Sequence, residues 1–157
     1  MSHLIKTPEE YRDTAKNHFI SGFNCAQAVC LAFAQDIGLD TSTALRLSSP
    51  FGGGMGRLRE VCGAFSGALI VLGSFYGYDD PKASEEKKAL YIKVQRLADD
   101  LRQSNGSLIC RELLSLQSKG ADSPIPEART ESYYKKRPCA EIVAETALAT
   151  AKFILEN

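Results

Sequence analysis

A chain of 157 residues with nineteen basic and nineteen acidic side chains has the length of one domain and no charge excess. Neither the electrostatic footprint of a nucleic-acid binder nor an acidic tail is therefore present. No apolar run reaches the roughly 18 residues of a membrane span, and residues 1–10 lack the apolar core of a signal peptide, so a single domain over 1–157 in the cytoplasm is expected.

In chain order, Thr7-Pro8-Glu9-Glu10 is a helix opening, with a capping hydroxyl, proline at the first helical position and acids at the positive end of the dipole. That helix is expected to run to about Ile20, and His18 within it has no partner at ligand spacing. Asn24 is placed to cap a second, nearly all-apolar helix from Cys25 to Ile37, ended by Gly38. Thr41 or Ser42 starts a short helix that stops before Pro50.

The run Gly52-Gly53-Gly54-Met55-Gly56 is then expected to feed straight into a helix whose stripe is Leu58, Cys62, Phe65, Leu69 and Leu72. Gly63 and Gly67 form a small-residue wall on it, at a cost of roughly 1 kcal/mol each relative to alanine. Either tight helix packing or close approach of other cysteine-bearing segments would repay that cost. A phosphate loop is excluded, because the lysine of a P-loop is missing, Arg57 stands where the last glycine of G-x-G-x-x-G would be, and no strand precedes the turn.

A long helix is expected from Asp80-Pro81 to about Ser104, followed by Ser107 capping a helix over 108–114 with Cys110 in its first turn beside Arg111. Residues 117–136 lack periodicity and read as a flap loop. Pro138 starts the last helix, which carries Cys139 in its first turn beside Arg137 and continues to about Leu155. No segment alternates at period two, so the expected fold is all-α: a single-domain bundle of six or seven helices with a long loop before the last.

Five cysteines in a reducing compartment point to redox, catalytic or metal roles rather than structural disulfides. Cys25, Cys110 and Cys139 fall at helix starts, where free backbone N–H groups and the dipole favour a thiolate, and Cys62 lies among small residues. Cys30 is about 140° round its helix from Cys25 and is read as a small core hydrophobe. With their neighbouring arginines, Cys110 and Cys139 are expected to be the most reactive thiols, and Cys30 the least.

The chain also resembles the redox-active protein family named for its C_GCAxxG_C_C pattern. The matching residues are Cys25 in Gly22-Phe23-Asn24-Cys25-Ala26, the segment Cys62-Gly63-Ala64-Phe65-Ser66-Gly67, Cys110, and Cys139 in Arg137-Pro138-Cys139-Ala140. Three readings stay open. Cys25, Cys62, Cys110 and Cys139 form the site of a thiol/disulfide oxidoreductase or electron-transfer protein with an unidentified redox partner. Alternatively the same four hold zinc or an iron–sulfur cluster, although spacings of 37, 48 and 29 residues contain no C-x₂-C pair. In the third, the protein is a non-catalytic ligand-binding or accessory protein whose cysteines only pack.

Overall fold

The computed structural model describes residues 3–117 and 120–157. Among the described residues the chain forms an all-α single domain of eight helices with no strand. They are α1 (Pro8–Ile20), α2 (Cys25–Ala32), α3 (Thr41–Ser48), α4 (Gly63–Tyr76), α5 (Ser84–Asn105), α6 (Cys110–Leu113), α7 (Glu131–Lys136) and α8 (Cys139–Glu156). Among the described residues, no helix is long and apolar enough to cross a membrane.

The helix starts follow local chemistry. Thr7 and Glu10 make a reciprocal capping box at α1, and Asn24 and Gln27 make a second at α2. Such a cap is worth about 1 kcal/mol. Asn24 also donates its side-chain amide to Ser49 O at 3.0 Å, tying the start of α2 to the segment that precedes the glycine turn.

α8 packs along α1, and α2 lies between α1 and α4. Val29, Leu72, Leu97, Leu101, Val143 and Ile154 fill the centre, and Tyr11 stacks on Phe33 with ring centroids 4.2 Å apart. The glycines of α4 serve both purposes that could repay them. A Cβ on Gly67 would stand 2.6 Å from Ala26 O, so α2 and α4 meet backbone to backbone; a Cβ on Gly63 would strike Cys25 Sγ.

Three expectations are corrected. α2 ends at Ala32 rather than Ile37, with residues 33–38 turning back on themselves. α4 does not begin near Leu58, which is 49% exposed, but at Gly63. The loop expected over 117–136 carries α7 at its end, and its residues 118–119 lie outside the described part of the chain.

The glycine run is the turn expected, but it does not feed straight into a helix. Gly53, Gly54, Met55, Gly56 and Arg57 all have positive φ, between +62° and +70°, and Arg59 follows at +61°. They make one left-handed turn, closed by Gly56 N–H donating to Gly52 O at 2.9 Å. Left-handed helical geometry costs an L-residue about 1–2 kcal/mol, which is why three of the five are glycine.

Candidate functional site

Beyond that turn the chain straightens, and Val61 makes an antiparallel bridge with Ile109. Cys62 N–H donates to Leu108 O at 2.7 Å and Cys110 N–H to Glu60 O at 2.6 Å. Residues one step from a bridged pair point to the opposite face from it. Cys62 and Cys110 are therefore presented to the same side, although 48 residues separate them.

Cys62 is the N-cap residue of α4, Cys25 the first residue of α2, Cys110 the first of α6 and Cys139 the first of α8. Four helix starts thus bring four sulfur-bearing residues to one small cavity of ≈ 60 Å³, lined by all of them. Cys62 and Cys110 are buried, Cys25 and Cys139 half-buried, and none is in a disulfide. Cys30 lies apart, fully buried in a minor cluster with Ala34 and Ala44.

The left-handed turn covers the sulfurs. Gly52 sits against the Asn24 side chain, Gly53 donates its backbone N–H toward Cys25, and a Cβ on Gly54 would stand 2.6 Å from Cys110 Cβ. The same turn swings Arg59 inward. Only 4% exposed, Arg59 donates from Nε to Asp122 at 2.7 Å and from Nη1 to Cys110 Sγ at 3.6 Å. Burial alone would lower the guanidinium pKa, but the Cys110 and Asp122 contacts outweigh it and keep the group charged. Arg111, the sequence neighbour of Cys110, instead reaches the carbonyls of Leu58 and Gly120.

The remaining wall comes from the segment before α8. Arg129 donates to Phe19 O and Phe23 O and lies over the rings of Phe19 and Tyr133; Arg137 pairs with Glu127 at 2.8 Å and also lies over Tyr133. Together these residues roof the cavity between α1 and α8.

Burial pushes the Cys25 thiol up, the Gly53 N–H offsetting part of the rise and Cys110 adding to it. Cys62 is raised chiefly by burial and next by Cys25, against the N–H groups of Phe65 and Ala64. Cys139 is pushed up to about 12, by burial first and then by Cys25 and Cys110; Arg137 and Arg129 oppose the rise without reversing it. The expectation that its adjacent arginine would make Cys139 one of the most thiolate-like residues is thus corrected, because desolvation outweighs the cation.

Cys25 and Cys110 both raise Cys62 and Cys139, so each lies within electrostatic reach of those two. Among the described residues, no three His, Cys, Asp or Glu side chains are grouped so as to hold a metal ion.

The helix starts at Cys25, Cys110 and Cys139 were visible in the sequence. The N-cap position of Cys62 and the inward turn of Arg59 were not. Their one signal was four glycines in five residues, a density that suits left-handed backbone and opposes helix.

Fold and site define an all-α domain in which four cysteines line one small cavity. The chain belongs to the family described as "Putative redox-active protein (C_GCAxxG_C_C)", whose model matches residues 23–153. No curated protein and no solved structure matches it.

Proposed function

We propose that the chain performs thiol–disulfide exchange at the cavity formed by Cys25, Cys62, Cys110 and Cys139. The observation that carries this reading is the meeting of four cysteines, from four separate segments, at four helix starts around one cavity. A thiolate of Cys25 or Cys110 attacks one sulfur of a substrate disulfide and forms a mixed disulfide, while the other substrate sulfur leaves as a thiolate and takes up a proton. A second cavity thiol then loses its proton and attacks the mixed disulfide, releasing the second substrate thiol. The protein goes from dithiol to disulfide, and the substrate gains two electrons and two protons.

Electrostatics favour this chemistry over a resting cluster of thiolates. Burial and mutual repulsion both penalise charge on Cys25, Cys62 and Cys139, and a disulfide is neutral, so its formation removes the penalty. Cys25 and Cys110 each lie within electrostatic reach of Cys62 and Cys139, and each productive pair is expected to contain at least one of them.

The test is equilibration of the reduced protein with graded ratios of reduced and oxidised dithiothreitol, followed by peptide mapping of disulfides. Bonds within the four, each including Cys25 or Cys110, are expected. Mapping that finds all four as free thiols at the most oxidising ratio, or a bond to Cys30, would overturn the reading.

A further inference from the structure

A second, larger hollow of ≈ 260 Å³ adjoins the thiol cavity, and Arg59, Arg129, Tyr133 and Arg137 form the wall that the two share. Arg57 joins them in the larger hollow. Arg57 and Arg59 share one carboxylate, Asp122, at 3.9 and 2.7 Å; Arg137 has Glu127. Arg129 spends its N–H groups on the Phe19 and Phe23 carbonyls, and among the described residues no carboxylate lies at ion-pair distance from it. Among the described residues, four guanidinium groups therefore stand against two carboxylates at a hollow beside the thiol cavity, in a chain with no net charge.

We infer that this hollow selects anionic disulfides: small molecules that carry carboxylate groups beside the scissile sulfur–sulfur bond. The inference rests on the thiol–disulfide reading and names its substrate class. Uncompensated guanidinium groups in a concave, partly desolvated hollow concentrate anions and orient carboxylates through paired N–H donors. The carboxylates stay in the larger hollow, and the sulfur–sulfur bond enters the thiol cavity. Attack then follows the two displacements described above, with two substrate thiols released and one protein disulfide formed.

Reduced protein, kept free of oxygen, is mixed with 3,3′-dithiodipropionate (anionic), bis(2-hydroxyethyl) disulfide (neutral) or cystamine (cationic), and loss of each cavity thiol is followed by mass spectrometry. Each rate is divided by that of the urea-unfolded reduced chain, which removes the intrinsic reactivity of the probe. The normalised rate is expected to favour the anionic over the cationic probe at least about tenfold at low salt, and the gap to shrink at about 0.5 M salt. Arg57→Gln and Arg137→Gln should each narrow it; if either fails to fold, the charge and salt series on the unaltered protein still decides. Oxidation at equal normalised rates by all three probes, or faster by cystamine, would overturn the anion preference and leave thiol–disulfide exchange standing. Failure of every probe to oxidise the cavity cysteines would overturn both.

Discussion

Arg59 Nη1 stands 3.6 Å from Cys110 Sγ, while the backbone N–H of the same arginine donates to Gly53 O at 3.3 Å. The cation beside the sulfur and the left-handed turn above it are thus one unit. Asp122 completes it from across the chain, and its own N–H donates to Arg57 O at 2.9 Å.

Gly54→Ala should break this unit. The new Cβ would meet Cys110 Cβ at 2.6 Å and Glu60 N at 2.8 Å, at a φ of +68°. Strain and overpacking together should cost about 2–5 kcal/mol in urea unfolding. Gly38→Ala is the control: its φ is +72° but nothing lies within 4 Å of the added carbon, so about 1–2 kcal/mol is expected. Equal losses for the two variants would show that close approach to Cys110 is not what requires glycine at position 54.

The reduced protein should be sensitive to alkali. Cys25, Cys30, Cys62 and Cys139 all have folded pKa values raised by burial, so above about pH 9 the unfolded chain loses thiol protons that the folded chain keeps. Stability conferred by these thiols is complete below the unfolded value and falls as pH rises toward about 12. Urea midpoints measured from pH 7.5 to 10 should decline, and decline less steeply once two of the site thiols are joined in a disulfide.

Arg59 holds the Asp122 carboxyl below the usual carboxylate range through their hydrogen bond, assisted by the charges of Arg59 and Arg57. That stabilisation is present above the unfolded value near pH 3.9 and is lost as pH falls through the lower folded value. Amide exchange at Asp122, corrected for its intrinsic pH dependence, should stay slow at neutral pH and accelerate only in acid. In Arg59→Met it should be fast throughout.

Cys30→Ala should lower stability by about 1–2 kcal/mol through its minor core cluster and leave the redox titration unchanged. In the unaltered protein at pH 7.5, Cys30 should be the last cysteine alkylated. A changed disulfide map in the variant would mean that Cys30 communicates with the cavity.

Much of this architecture could be read from the chain because helix ends are local. Thr7, Asn24 and Pro138 announce α1, α2 and α8 by their own side chains, and two of the four site cysteines, Cys25 and Cys139, sit beside such signals. Cys62 misled because Leu58, Cys62, Phe65 and Leu69 keep helical spacing across a break. That periodicity expresses burial of α4 beyond Gly63, whereas the residues before it answer to glycine stereochemistry and to pairing with residues near Ile109. Arg111 and Arg59 show the same limit. Adjacency suggested the first as the cation at Cys110, and a turn formed by distant contacts supplied the second.

The Val61–Ile109 bridge holds two cysteine-bearing strips side by side before any sulfur reacts. Preorganisation of this kind raises the effective concentration of one thiol at the other, and the gain is reciprocal: whatever a cross-link between the strips adds to the fold, the fold adds to the cross-link's resistance to reduction. Loosening the bridge would therefore shift the midpoint potential upward, making the oxidised protein a stronger electron acceptor while it became easier to unfold.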